Sequence, residues 1–393
     1  MKVTIEKFDH LGNGIARSDG VIFVKRALPN EVLDVEIISK NKNFAKAEIK
    51  EIIDKSDMRI EAVCPYYKDC GGCDFLHAKK ACENQFKIAK AQELFNVNPK
   101  LYETSEYHYR NKVTLHIKNN KIGFYKSGSN ELIPVVYCYL LDDRINDILK
   151  ELNEYLDENK VLFDEVMIRV SSDESMLYLN KFDAKIKDSF DFVDTIIAFD
   201  KVLKGRGCIY EQIGNYKFKV SPKSFFQVNI KGLAQIYNIL ENNLKLHYHH
   251  ALDLYGGTGV MGILLSKYAS KVTSIEECQA ATLDGKRNKE LNNISNIEFI
   301  NAKVEDYIDK LQDVDLVLVD PPRRGLDNKT ITCLLDLMPQ NIIYVSCNMI
   351  TLKRDLESLK EKYEINDLML VDMFPKTAHV ECVSILHQKN LEK

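Results

Sequence analysis

Residues Ala251–Leu264 read ALDLYGGTGVMGIL. An apolar stretch of strand character, Ala251–Leu254, runs into a glycine-rich turn, and an apolar helical segment follows. Gly257, Gly259 and Gly262 form a literal G-x-G-x-x-G. Glycines at such positions let the backbone approach a ligand and let the helix pack closely on its strand. Roughly twenty residues on, Glu276 ends the next apolar stretch with Glu277 beside it, where a carboxylate takes ribose hydroxyls. Motif, context and carboxylate agree on a nucleotide-like ligand.

The motif alone leaves that ligand open between a dinucleotide and S-adenosylmethionine. Asp253, two residues before the loop, is common in methyltransferases, whereas a dehydrogenase often carries this unit at its N-terminus. Outward from the loop, strand signals recur at Lys271–Ile275, Ile297–Ile300, Leu316–Val319, Asn341–Val345, Asn366–Val371 and Val380–Leu386. Helical segments separate the first five strands of the series, and the last two look antiparallel. This alternation predicts a doubly wound, Rossmann-like α/β sheet over 226–393.

In such sheets, ligands bind outside the carboxyl ends of the strands. Three chemistry-bearing residues fall there. Asp320 ends the fourth strand and is followed by Pro321-Pro322-Arg323-Arg324-Gly325, the prolines holding an extended turn. Cys347 follows the fifth strand in Tyr344-Val345-Ser346-Cys347-Asn348, ahead of an amphipathic helix at Met349–Leu356. Glu381 lies in Asp372–Glu381 (DMFPKTAHVE), at the junction of the last two strands. Enzymes that methylate exocyclic amines carry an aromatic residue where Arg323 stands, which argues against an amine acceptor.

A lone cysteine in a strand-to-helix turn is ordinarily packing. The trio suggests otherwise. Carbon 5 of uracil is too weak a nucleophile to take a methyl group directly. Thiolate addition at carbon 6 makes it enolate-like, and a base must then remove the carbon 5 proton so that the thiol can leave. A thiol, a carboxylate and a methyl donor are the set this reaction needs.

The 393-residue chain is too long for one ordinary core. Hydrophobic content of 45% and charged content of 28% are those of a globular chain, and no apolar run reaches membrane-spanning length. Without a signal-peptide core at Met1–His10, a cytoplasmic location and no membrane partner are expected. The net charge of −4 neither announces nor excludes a nucleic-acid partner, since a local basic patch suffices for phosphates.

Residues 1–57 carry short strands at Val21–Lys25, Val32–Ser39 and Phe44–Ile53, which predicts a small β-barrel of the OB type. Residues 58–225 predict an α+β middle domain, with helices at Asn84–Phe95 and Ile145–Leu162 and strands at Val113–Ile117, Ile122–Tyr125, Val166–Val170 and Met176–Leu179. Its start, CPYYKDCGGCDFLH, places Cys64, Cys70 and Cys73 in C-x5-C-x2-C around a Gly71-Gly72 pair. Three thiols this close in a reducing compartment point to a metal site. Cys82, His77 and Cys138 are candidates for a fourth ligand, and spacing does not choose between zinc and an iron–sulfur cluster. Cys82, Cys208, Cys278, Cys333 and Cys382 are assigned to packing, Cys382 on the strand face opposite Glu381. His247, His249 and His250 are expected in a surface loop.

Taken together, GNGIAR, VIFVKRALPNE and SDMR resemble an RNA-binding TRAM domain. The whole chain, through CPYYKDCGGC, SFFQVN (Ser224–Asn229), DLYGGTG, DPPRRG, YVSCN and HVECV, resembles the TRAM-bearing, 4Fe–4S-containing 23S ribosomal RNA uracil-5-methyltransferases. The resemblance implies Cys347 as nucleophile and Glu381 as base. It places Gln227, Tyr255, Glu276 and Asp320, with Gly257 and Gly259 of the loop, around S-adenosylmethionine. It also makes Cys64, Cys70, Cys73 and Cys138 the ligands of a 4Fe–4S cluster. Where relatives often have Cys-Gly after the loop's aromatic residue, this chain has Gly256-Gly257, which should alter loop packing. The expected partner is structured RNA, ribosomal RNA ahead of transfer RNA, with no obligate protein partner evident. The rival readings are an NAD-dependent iron–sulfur oxidoreductase and a non-catalytic RNA-binding assembly factor.

Overall fold

The computed structural model describes residues 1–18, 20–183, 185–186, 189–245 and 247–389. Its largest sheet has eight strands. They run in the order Ile297–Asn301, Ala269–Glu276, Tyr248–Leu254, Leu316–Val319, Asn341–Ser346, Glu381–Gln388, Tyr363–Val371 and Lys100–Tyr102. The first five strands pair in parallel, and Glu381–Gln388 is antiparallel to both of its neighbours. Strands such as Leu316–Val319 and Asn341–Ser346 are buried at every position, because helices cover both faces of the sheet. One core, with Leu264, Ile263 and Val345, fills one side, and a second, with Leu252, Tyr344 and Leu356, fills the other. Strand order reverses at Tyr248–Leu254, so the binding crevice of the sheet opens beside that strand's carboxyl end.

The sheet recruits a stretch that the sequence reading gave to the middle unit. The helix Lys80–Phe95 packs Ala91 and Phe95 into the second core, and Lys100–Tyr102 adds a parallel edge strand beside Tyr363–Val371. A three-residue strand carries no periodic signal of its own, so only tertiary packing shows its place. The histidine stretch is a second difference. Tyr248–His250 begin the first strand rather than a loop, and buried His250 bonds Thr273 Oγ1 through Nε2 at 2.9 Å. The neighbouring Asp315 carboxylate accepts from the His249 and His250 N–H groups and holds that strand start.

Residues 2–54 form a six-stranded sheet around Val3, Ile5, Val24, Leu33, Val35 and Ala47. Alternating burial along Val32–Val35 reflects one face turned inward and one turned to solvent. A seven-stranded sheet between Lys112 and Lys204 carries the helix Asp143–Glu158, whose Ile145, Ile148, Leu149, Leu152 and Leu156 are buried against it. That helix stops four residues short of the predicted Leu162. Asn159 turns extended and Leu162 stays exposed, so continuing the helix would bury nothing. Among the described residues, no helix is long and apolar enough to cross a membrane.

Candidate active site

Tyr255 leaves the first strand with φ +62°, an uncommon conformation for a bulky residue and one that recurs at functional sites. The next residue, Gly256, is pressed against the neighbouring strand. A Cβ there would come within 2.1 Å of Ser274 Oγ and 2.5 Å of an Asp253 carboxylate oxygen. Gly262 is confined by the same carboxylate, and Gly259, at φ +83°, by the Phe299 ring. The departure Gly256-Gly257 thus has a packing role that the literal motif did not reveal. Gly257, with open space above it, lines the crevice and donates its N–H to Glu276 Oε2 at 3.0 Å. The other Glu276 oxygen accepts from Cys278 N–H, so this carboxylate stands fixed at the rim.

These residues border a cavity of about 740 Å³ at the carboxyl edge of the sheet. Gln227, Tyr255, Gly257, Glu276, Asp320, Cys347 and Glu381 all line it. The six strand and loop ends that carry them are drawn together from a span of more than 150 residues. Gly259 stands behind the wall as a packing residue. Sequence reading missed Tyr109, Phe225, Phe374, Thr377 and His379, which also line the cavity. Phe225 falls in the SFFQVN stretch and Phe374, Thr377 and His379 in DMFPKTAHVE, but neither stretch marks them individually as cavity residues.

The electrostatics follow from crowding acids out of water. Burial, then Asp253, pushes the Asp320 carboxyl up to about 7. Burial, then Asp320, holds Glu381 well above the carboxylate range, with Arg323 opposing. Burial, then Glu381 and Asp320, pushes the Cys347 thiol up to about 11, again against Arg323. Gln227 Nε2 approaches Asp320 Oδ2 at 3.5 Å and leaves the acid weakly paired. A cation placed among these groups would relieve that pressure, and a methyl-bearing sulfonium is such a cation. The donor set therefore suits S-adenosylmethionine, with the Glu276 carboxylate at the rim of the same cavity. Cys382 follows Glu381 but is buried in the core on the other face, as strand alternation requires.

A second cavity, of about 1000 Å³, is lined by Cys64, Cys70, Cys73 and Cys138 and adjoins the first through Gly71, Gly72, Arg110 and Phe225. Of the other two candidates for a fourth ligand, Cys82 packs among Leu28, Phe75 and Phe86. Buried His77 is held by the Tyr67 hydroxyl at 2.6 Å from Nδ1. Burial and then the neighbouring Cys138, Cys70 and Cys64 raise the Cys73 thiol. Among the described residues, no three His, Cys, Asp or Glu side chains close on a single metal ion.

A doubly wound sheet whose crevice combines a glycine loop, a rim carboxylate, a thiol and buried acids defines an S-adenosylmethionine-dependent methyltransferase. The sequence profile of the tRNA (uracil-5-)-methyltransferase family matches residues 76–389, and that of the TRAM domain matches residues 1–50. The chain belongs to this family of RNA uracil-5-methyltransferases. It is 32% identical to an uncharacterized RNA methyltransferase of Fusobacterium nucleatum, over 99% of this chain and 96% of that one. A homologue from Clostridium acetobutylicum is also 32% identical, over 98% and 96%. The fold superposes on the Pyrococcus abyssi tRNA (uracil-54, C5)-methyltransferase in complex with S-adenosyl-L-homocysteine. That match has a TM-score of 0.81 and 24% identity, and it covers 98% of this chain and all of the other. The glycine loop therefore belongs to a methyltransferase, and the nicotinamide oxidoreductase reading loses its footing.

Proposed function

We propose that this enzyme methylates carbon 5 of a uridine in structured RNA, ribosomal RNA foremost, in the cytoplasm. Cys347 acts as nucleophile and Glu381 as base. The observation that carries the reading is the meeting of Cys347, Glu381 and Asp320 in one cavity with the glycine loop and Glu276. The target base leaves its stack to enter, which costs least in a single-stranded loop. The Cys347 thiolate forms a bond to carbon 6, and the electron pair of the carbon 5–carbon 6 double bond moves onto carbon 5 and its carbonyl. Bound S-adenosylmethionine supplies the methyl electrophile. Glu381 takes the proton from carbon 5, the double bond re-forms, and the carbon 6–sulfur bond breaks to return the thiolate. Gln227 and Asp320 hold the ring and the donor in register.

The family profile and the barrel support RNA as substrate. The four thiols around one cavity, by resemblance, favour ribosomal over transfer RNA. Cys64, Cys70, Cys73 and Cys138 line one cavity, and the resemblance makes them the ligands of a 4Fe–4S cluster. Cys64, Cys70, Cys73 and Cys138 would hold that cluster, and its role is structural because methyl transfer moves no net electrons.

The test is a map of 5-methyluridine in ribosomal and transfer RNA from cells with and without the gene, followed by purified enzyme on the mapped hairpin. A site lost from ribosomal RNA with the gene supports the reading, and loss from transfer RNA alone redirects it. With 5-fluorouridine at the site, the fluorine blocks proton removal and a covalent RNA adduct through Cys347 is expected. Cys347→Ala should give none and should lower turnover by at least a thousandfold. Absence of adduct from the unmodified enzyme sinks the mechanism.

A further inference from the structure

Cys347 borders not one cavity but two. Behind the catalytic turn lies a smaller space, about 270 Å³, that meets the first at Cys347, Arg323 and His379. One wall is the barrel loop His10–Leu11, and the other is Asn348–Ile350, where the helix after the catalytic turn begins. The barrel thus lines a cavity that Cys347 also borders.

Its walls carry apolar and cationic side chains. Leu11 is 55% exposed and Ile350 is 48% exposed, one on each wall. Exposed apolar side chains are unremarkable on mobile loops, but Leu11 stands on a fixed one. The Asp9 carboxylate accepts from Leu11 N–H and Asn13 N–H, both at 2.8 Å, and from Asn13 Nδ2 at 2.8 Å. Gly12, at φ +84°, lies so close to the Phe75 ring that a Cβ would come within 2.9 Å of it. Lys90 Nζ reaches across from the helix Lys80–Phe95 to bond His10 O at 2.8 Å. Lys90 and Arg323 supply positive charge to the same cavity. The combination is two apolar surfaces for a planar ring and two cations for a phosphate.

We propose that this cavity is a subsite for the nucleotide adjoining the target uridine. Its base packs between Leu11 and Ile350, and its phosphate faces Lys90 and Arg323. The inference rests on the RNA methylation reading above. A flipped uridine drags its neighbours to the rim of the site, and this is the rim space that opens directly on Cys347. The barrel would then select sequence context at the reacting base as well as hold RNA at a distance.

The experiment uses the full-length enzyme and the mapped hairpin, either intact or with an abasic residue on the 5′ or the 3′ side of the target. For Leu11→Ala/Ile350→Ala, KM for the intact hairpin should rise roughly tenfold with kcat little changed, as expected for lost apolar burial. Leu11→Met should keep the wild-type KM. On one of the two abasic hairpins, wild type and double variant should become equal. Equal KM values on the intact hairpin overturn the subsite, and so does a defect that persists undiminished on both abasic hairpins. If wild-type enzyme fails to methylate the intact hairpin, the underlying activity has failed instead.

Discussion

Asp320 is a carboxyl kept where ionisation is costly, and under the proposed reaction that cost serves methyl transfer rather than the fold. Its folded pKa of about 7 lies above the ordinary carboxyl range. An acid raised on folding binds its proton more tightly in the folded state, so stability falls as pH climbs from about 4 to about 7 and stays reduced above. Asp320→Asn should therefore raise the unfolding free energy at pH 8 by about 1–2 kcal/mol, with the gain vanishing toward pH 4. The same change should cost methyl transfer heavily. Urea unfolding at the two pH values decides it, and a variant no more stable than wild type at pH 8 would refute the account. Asp320, Cys347 and Glu381 were legible in the sequence because each is a polar residue at the end of an apolar strand. His379 and Thr377 were not, because their place depends on the path of an irregular loop.

That loop, between Asp372 and Glu381, is held at the scale of elements by charges from a distant helix. Lys87, fully buried, donates to Glu83 Oε1 at 2.5 Å and to Asp372 Oδ1 at 2.6 Å, and Lys80 pairs with the same Asp372. Glu83 Oε1 also accepts from the Lys376 N–H at 2.8 Å, in a loop where Lys376 has φ +65°. Two lysines and two carboxylates thus fix the approach to Glu381. Such a network adds little net stability when complete, but removing one member leaves a charge buried alone. Lys87→Met should lower the unfolding free energy by roughly 3–5 kcal/mol. A loss below about 1 kcal/mol in denaturant titration would show that Glu83 and Asp372 re-pair without it. The sequence displayed this helix but not its role, since the pairing joins residues 285 positions apart. The long periodic strands of the large sheet were legible, whereas the three-residue strand that joins it was not.

At the scale of the molecule, one short segment ties the thiol cavity, the barrel and the catalytic loop together. Directly after Cys73, the N–H groups of Asp74 and Phe75 both donate to Lys376 O, at 2.8 and 3.1 Å. The Asp74 carboxylate accepts from Ala378 N–H at 2.8 Å, three residues before Glu381. Phe75 packs edge-on against Phe8 of the barrel, with ring centroids 5.6 Å apart. The position of Cys73 is therefore passed to the loop that carries Glu381, the proposed base, through two residues of backbone and a handful of hydrogen bonds. If a cluster draws Cys64, Cys70, Cys73 and Cys138 inward, it fixes this segment, and losing the metal frees it. Anaerobically purified protein should contain iron and acid-labile sulfide and show broad thiolate-to-iron absorbance. Cys138→Ser should lose much of both and melt several degrees lower. Its adduct with 5-fluorouridine RNA should still form, because Cys347 remains reactive, while turnover on uridine RNA should fall, because the displaced base acts only after the adduct. Metal-free protein with an unchanged melting temperature and unchanged turnover on uridine RNA would show that the thiol cavity and the catalytic loop are independent.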